Sequence, residues 1–237
     1  RKVSEKTGLC SRYDKHEYRK RYYKKVNMNA VILAAGFGRR LLPLTKDIPK
    51  PLLKVRGKNL IDYHIESLSK AGIGKIIINT HYLPELIEDH VSEKYQGLDI
   101  QFSREDKILG TGGGLKQAAS LLNDDPILVI NTDNFLEEDY KKFISNSSSR
   151  VFVCKDKNGD FDIEDGKVKV GADKTYRFIG ISIVKKSDIL EVGHDEFDYW
   201  QDYLKLKALD GNLLAEEIDF SCYHVGTIES LNNINHE

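Results

Sequence analysis

The stretch Ala30–Pro51, AVILAAGFGRRLLPLTKDIPKP, passes from a continuous apolar run into a glycine turn, and then into arginines, lysines and three prolines. An uninterrupted apolar run of this length reads as a strand covered on both faces. The residues that follow decide what the strand leads to. Gly36 and Gly38 have no Cβ, so the backbone N–H groups of Ala35 to Gly38 can approach an anion closely. The turn is not a Walker A loop, since no GxxxxGK precedes a serine or threonine. It is not a dinucleotide GxGxxG either, because Pro43 interrupts any helix that would follow. Arg40 stands just behind the glycines. Ten residues on, Lys50 lies between Pro49 and Pro51, which predicts a stiff, extended segment holding one charge in a fixed place. Two cations and a nest of amides suit a triphosphate.

Outward from this stretch, strand and helix patterns alternate over Ala30–Ala34 (β), Leu60–Ala71 (α), Lys75–Thr80 (β), Pro84–Lys94 (α), Leu98–Phe102 (β), Leu115–Leu122 (α) and Ile127–Asn131 (β). The order predicts right-handed crossovers and an α/β fold: a Rossmann-like, mainly parallel mixed sheet with helices on both faces. Beyond about residue 150 shorter strands are expected at Val151–Cys154, Lys167–Val170 and Arg177–Val184, separated by NGD and EDG turns. A helix near Asp195–Leu209 and a strand near Phe220–Val225 complete the expected order. Asn146–Ser149 reads as a polar connector too short to divide domains, so 28–237 is expected to be one domain.

The 237 residues carry a net charge of −1, which conceals an asymmetry: residues 1–27 hold ten Lys or Arg and three acids, leaving the remainder about −8. This basic extension, with Tyr18, Tyr22 and Val26 at helical spacing, reads as a solvated or lightly docked segment with no site role and no nucleic-acid contact. Met28 looks like a natural start. Cys10, Cys154 and Cys222 are too few and too scattered for a disulfide framework or a zinc site. No apolar run approaches the roughly 18 residues that span a bilayer. A cytoplasmic protein without a membrane partner, as monomer or homodimer, is expected.

LAAGFGRRLLPLTKDIPKPLLKVRGKNLI resembles the N-terminal signature of the sugar-1-phosphate nucleotidyltransferases, with Arg39 where that family often has threonine. The resemblance implies a glycosyltransferase-A-like fold, and phosphate-binding roles at the reacting centre for Arg40 and Lys50. INTHYLPELIEDHV (78–91), LGTGGGLKQA (109–118), NGDFDIEDGKV (158–168) and YRFIGISIV (176–184) are similar to segments of a short branch that includes N-acetylmuramate-1-phosphate uridylyltransferase. By that likeness Ala35, Gly36, Gly38, Asn79, Gly110, Thr111 and Gly112 would seat the nucleotide, with Asn79 and Glu105 as the candidates for reading the base. Asp160 and Gly180 would face the sugar. Read from the residues alone, GTGGG before a helix is a second loop with room for an anion or a planar base.

NTDN (131–134) ends the apolar run ILVI, which puts Asp133 at the carboxyl edge of the sheet, where such folds bind ligands. A carboxylate there suits Mg²⁺, or Mn²⁺, which prefers hard oxygens and substrate phosphates. The family's second metal carboxylate falls in a segment like WxDVGTPE. CYHVGTIES (222–230) carries His224 in its place, and imidazole suits Mg²⁺ less well. His224 is therefore expected to ligate the metal directly, to hold a metal-bound water, or to contact phosphate.

The implied chemistry is attack of a sugar 1-phosphate on the α-phosphorus of a nucleoside triphosphate, releasing pyrophosphate, with Arg40, Lys50 and Asp133 as catalytic residues. The branch favours UTP and N-acetylmuramate 1-phosphate or a related hexose 1-phosphate. Guanylyl transfer to mannose or heptose 1-phosphate, phosphocholine cytidylyl transfer and a non-catalytic nucleotide-sugar-binding protein are the alternatives. Choline would want an aromatic cage; Tyr199, Trp200 and Tyr203 are instead expected to pack a helix.

Overall fold

The computed structural model describes residues 28–123, 125–144, 148–171 and 174–236. The basic extension 1–27, with Cys10, and residues Asn146 and Ser147 of the polar connector lie outside the described residues. A nine-stranded mixed sheet forms the centre, in the order β5-β4-β1-β6-β11-β8-β12-β10-β9. Here β1 is Asn29–Leu33, β4 Ile76–Thr80, β5 Ile100–Arg104, β6 Ile127–Asn131, β8 Arg150–Lys155 and β9 Asp162–Glu164. The remaining strands of this sheet are β10 (Lys167–Lys169), β11 (Tyr176–Val184) and β12 (Leu214–Glu217). β1 runs parallel to β4 and to β6, and β4 runs parallel to β5. β11 is antiparallel to both β6 and β8.

Alternate residues of the central strands feed two cores. Ala30, Ile32, Ile76, Ile78, Leu128 and Ile130 face helices α1 (Leu60–Ala71) and α2 (Pro84–Lys94), which supply Ile61, Ile65, Leu68, Ile87 and Val91. Val31, Leu33, Ile77, Ile127 and Val129 face helix α3 (Gly110–Ser120) through Leu115, Ala118 and Ala119. Both faces are covered, which is why these strands read as continuous apolar runs. The expected fold class is the one observed.

α1 and α2 have the bounds their sequences predict. Apolar residues recur at helical spacing in α1, and Gly72 caps it in the left-handed conformation. Pro84 opens the first turn of α2, where it lacks only an N–H that would have no helical partner. α3 differs from the expectation: it begins at Gly110, so GTGGG is its first turns and not a loop before it. Four glycines are poor helix formers. Their N–H groups find a partner outside the helix, since Gly112 and Gly113 both donate to the carbonyl of Phe197. The helix expected over Asp195–Leu209 is shorter, with a π turn at Trp200–Leu204 and α5 at Lys205–Leu209. Residues 195–199 stay irregular, because Phe197 bonds to Leu109 and so closes over the start of α3. α4 (Lys186–Leu190) precedes this segment.

A smaller third core, with Leu41, Val55, Phe135, Val225 and Leu231, lies under two short hairpin-like pairs. β2 (Lys54–Val55) pairs with β3 (Lys58–Asn59), and β7 (Asn134–Leu136) pairs with β13 (Cys222–His224). Helix α6 (Ile228–His236) covers this corner. No helix among the described residues is long and apolar enough to cross a membrane.

One buried group makes stability depend on pH. His64 on α1 is fully enclosed and shares a 2.7 Å hydrogen bond with the Tyr140 hydroxyl. Burial lowers its pKa to about 4. The unfolded chain takes up this proton near pH 6.5 and the folded chain does not, so stability is lost as pH falls from 6.5 toward 4. Urea unfolding at pH 7.5 and 4.5 should show a loss of about 2–3 kcal/mol from this group, and His64→Gln should remove that share of the difference. An identical pH dependence in both proteins would assign the acid sensitivity elsewhere.

Candidate active site

The carboxyl ends of β1, β4 and β6 open together into a cleft of about 450 Å³. Its lining brings together the backbone from Leu33 to Leu41, then Lys50, Asn79, Glu105, Gly110, Thr111 and Asp133. Of the residues predicted from sequence, Ala35, Gly36, Gly38, Arg40, Lys50, Asn79, Gly110, Thr111 and Asp133 therefore share one wall or floor.

The loop after β1 is held open by side chains behind it. Gly38 has φ +64, and a Cβ there would fall 2.9 Å from Thr45 Cγ2. Thr45 is fully buried and its hydroxyl donates to the Gly38 carbonyl at 2.8 Å. Tyr82 anchors the far side of the same loop, donating to the carbonyls of Thr45 and Lys46. Gly36 is different, with no atom within 4 Å of where its Cβ would be. Space, and not packing, is what glycine leaves at position 36. Arg40 is exposed at the cleft, and Arg39, also part of its lining, lies over the Phe37 ring at 5.0 Å.

Lys50 is not on an extended run as its prolines suggested. Pro49 is extended, but Lys50–Leu52 form one 3-10 turn, with Lys50 at its first position. The ammonium is 12% exposed and lies 3.7 Å from Asp133 Oδ2. Burial lowers its pKa, Asp133 opposes this, and Arg40 adds to the lowering. Asp133 in turn accepts from the Asn134 amide at 2.9 Å, and its own carbonyl accepts the Val225 N–H at 2.8 Å. β6 is fastened to β1 at this edge by Thr132, whose hydroxyl donates to the Leu33 carbonyl at 3.0 Å.

On the opposite wall Asn79 and Glu105 are both buried. The Asn79 amide donates to Glu105 Oε1 at 2.7 Å, and Glu105 Oε2 accepts the Leu109 N–H at 2.7 Å. Thr111 reaches Asp198 Oδ2 at 3.2 Å and accepts the Tyr199 N–H at 2.9 Å.

Four predicted residues sit elsewhere. Gly112 is buried behind the cleft wall with its N–H committed to Phe197, and a Cβ there would fall 2.2 Å from the Phe197 ring. Asp160 lies in the connection from β8 to β9, accepting the Phe178 N–H at 3.2 Å. Gly180 forms the irregularity in β11 at φ +73, where a Cβ would meet Asn134 Nδ2 at 2.5 Å. It adjoins the Asp133 segment without lining the cleft. His224 is paired with Asn134 across β7 and β13, behind Gly226, which does line the cleft. Burial lowers the His224 pKa, with Asp133 opposing and Lys50, Arg177 and Arg40 adding to it.

The cleft also holds Phe37, Ile108, Asn131, Asp198 and Gly226, which the sequence did not single out. Asn131 Oδ1 is buried with no hydrogen-bond partner among the described residues, in a residue that helps to line the cleft. Only its place in NTDN, two residues before Asp133, could have marked it. Asp198 arrives from a distant irregular segment and had no local signal.

For a divalent cation the donor set is narrow. Among the described residues no cluster of three or more His, Cys, Asp and Glu side chains is arranged around a metal. Of the carboxylates that line the cleft, Glu105 is bonded to Asn79 and Leu109 and Asp198 to Thr111, which leaves Asp133, 3.7 Å from Lys50, as the hard ligand beside the cations. That set fits Mg²⁺ held jointly with substrate phosphates, and does not fit a cage made by protein alone.

The sequence matches the Nucleotidyl transferase family model over residues 29–154. It is 35% identical over 135 residues to a D-glycero-alpha-D-manno-heptose 1-phosphate guanylyltransferase of Campylobacter jejuni, covering 57% of this chain and 60% of that one. It is 43% identical over 124 residues to an N-acetylmuramate alpha-1-phosphate uridylyltransferase of Neisseria meningitidis, covering 52% of this chain and 54% of that one. The matched segment thus spans about half the length of these curated relatives. Among solved structures, HddC from Yersinia pseudotuberculosis complexed with GMP-PN superimposes with a TM-score of 0.72 at 28% identity, over 88% of this chain and 98% of that one.

The two loop glycines should separate fold from binding. Gly38→Ala should cost about 1–2 kcal/mol of stability from its positive φ and the Thr45 contact. Gly36→Ala should leave the melting temperature unchanged yet weaken nucleoside triphosphate binding measured by calorimetry. Unaltered binding in Gly36→Ala would remove this loop from the ligand site.

Proposed function

The chain belongs to the nucleotidyl transferase family, and from that premise we propose that it transfers a nucleoside monophosphate from a nucleoside triphosphate to a sugar 1-phosphate. UTP and N-acetylmuramate 1-phosphate, or a related hexose 1-phosphate, are the favoured pair. The observation that carries this reading is the Lys50–Asp133 contact of 3.7 Å, at a cleft walled by the glycine loop and Arg40. The incoming phosphate oxygen is already ionised near neutral pH, so the reaction needs no general base. It needs two anions held in line and the developing charge neutralised. Loop amides from Ala35 to Gly38 receive the phosphates, while Lys50 and Arg40 hold the transferring nucleotidyl group and the departing pyrophosphate. A magnesium ion at Asp133, when bound, supplies further charge neutralisation on the triphosphate. Asn131 Oδ1 offers an acceptor for a substrate hydroxyl.

The preference for UTP has a physical support beside the resemblance to uridylyltransferases. Both Glu105 oxygens accept hydrogen bonds, Oε1 from the Asn79 amide and Oε2 from the Leu109 N–H, which leaves the Asn79 side-chain carbonyl as an acceptor. An acceptor at that wall can receive N3–H of uracil and repels N3 of cytosine, which is itself an acceptor. Guanine N1–H is also a donor, and the heptose 1-phosphate guanylyltransferase match makes guanylyl transfer the second reading.

Pyrophosphate release measured with UTP, GTP, CTP, dTTP and ATP, each against a panel of hexose 1-phosphates, tests the proposal. Release should require a sugar phosphate and be fastest with UTP. No release from any pair would favour a nucleotide-sugar-binding protein. Lys50→Ala should lower turnover roughly 10²–10³-fold while remaining folded, and wild-type kinetics in that variant would overturn the role given to Lys50.

His224 gives a separate test. If its imidazole supports the metal, His224→Asp should retain activity and lower the Mg²⁺ concentration for half-maximal rate, since a carboxylate is the harder ligand. His224→Ala should raise that concentration more than it raises the KM for sugar phosphate. Superimposable Mg²⁺ and Mn²⁺ curves for the three proteins would leave Asp133 as the sole protein ligand.

A further inference from the structure

Two of the cysteines, 68 positions apart in sequence, meet beside the site. Cys154 on β8 and Cys222 on β13 lie side by side, both reached by one guanidinium nitrogen of Arg177. Both are part-buried, at the margin of the core under β6 and β11, and neither is in a disulfide. Arg177 on β11 lies in register with Cys154 and bridges the pair, with Nη2 at 3.7 Å from Cys154 Sγ and 3.4 Å from the Cys222 carbonyl. Its Nε stands 3.2 Å from Asp156 Oδ2, which fixes the guanidinium in place. The Cys222 thiol also points at Asn134 Oδ1, 3.9 Å away, the side chain whose amide holds Asp133.

We propose that Cys154 and Cys222 form a peroxide-oxidisable thiol pair, whose disulfide ties β13 to β8 beside Asp133 and slows the reaction at the neighbouring cleft. A thiol that accepts a hydrogen bond from a fixed guanidinium has the features of a reactive cysteine, and a second thiol on the residue beside the same guanidinium supplies the resolving partner. The Cys222 thiol, ahead of Arg177, pulls the Cys154 pKa down against the opposing effect of burial. In the first step the Cys154 thiolate attacks hydrogen peroxide, giving the sulfenic acid and hydroxide. In the second the Cys222 thiol attacks that sulfur and water leaves. Overall two thiols and one peroxide become one disulfide and two waters, and a dithiol reductant reverses it.

The consequence for the site follows from what β13 carries. His224 is two residues from Cys222, and Val225 holds the Asp133 carbonyl. Drawing the two sulfurs together to the roughly 2.05 Å of a disulfide moves β13 relative to β8. A displacement of an ångström at a charge-positioning site costs roughly ten- to a hundredfold in rate.

The test is peptide mapping of the full chain after brief treatment with hydrogen peroxide, with and without dithiothreitol. A cross-linked peptide pair containing Cys154 and Cys222, absent after reduction and absent in Cys154→Ser and in Cys222→Ser, is expected. If either variant fails to fold, differential alkylation of the wild type reads the same bond. Both thiols still alkylatable after peroxide, or Cys154 carried to sulfinic acid without a cross-link, would overturn the pair. The link to rate rests on the proposed nucleotidyl transfer, whereas the cross-link does not. Turnover of the oxidised protein should fall roughly ten- to a hundredfold and return on reduction. A cross-linked protein with unchanged turnover would overturn the switch.

Discussion

β1 lies between two strands that run parallel with it, and this constraint organises everything at the site. Because β4 and β6 share its direction, three carboxyl ends reach the same edge of the sheet. The glycine loop leaves β1 there, Asn79 stands one residue from the end of β4 there, and Asp133 follows β6 there. The hydroxyl of Thr132, bonded to the last carbonyl of β1, keeps this edge in register where the ladder ends. An antiparallel neighbour at either side would have sent its polar end to the opposite edge. β11 is such a neighbour, and it contributes to the site from beneath, through the kink at Gly180 that lets Asn131 and Asn134 approach.

The charges at this edge are costly before a ligand arrives. Lys50 is mostly withdrawn from water, and the turn that begins at it stops the side chain from relaxing outward. Asp133 compensates incompletely, as the lowered pKa of the lysine shows. A buried ammonium with only one carboxylate at 3.7 Å, and an exposed arginine nearby, is a positive site short of negative charge. Triphosphate oxygens would supply it. Asn131 Oδ1, buried without a partner among the described residues, makes the complementary point for a hydrogen-bond donor. The features that weaken the free protein are those that would favour its ligand.

Sequence reading recovered the parts that local chemistry determines. The apolar strands, α1 and α2 and the convergence of Gly36, Lys50 and Asp133 were legible because each depends on nearby spacing, caps or a chain end. α3 was placed too late because four glycines read locally as a loop. Their use lies in a distant partner, the Phe197 carbonyl and ring, which no spacing reveals. For the same reason Asp198 and the contact between Cys154 and Cys222 were invisible, since both join segments far apart in the chain. The substitution of His224 for the family's carboxylate was visible, but its setting behind Gly226 was not. The strand expected near Phe220–Val225 is present as β13, whereas β7 and α6 escaped notice because a strand of three residues and a short polar helix carry little periodicity.

The division of the triphosphate at its α-phosphorus is the point on which these observations converge. Incubating the protein with Mg²⁺, a hexose 1-phosphate and UTP labelled separately in the α- and γ-phosphates follows that bond directly. The α-label should appear in the nucleotide sugar and the γ-label in pyrophosphate, with both transfers requiring the sugar phosphate. A γ-label released as orthophosphate, or an α-label recovered only in free UMP, would contradict nucleotidyl transfer at this cleft.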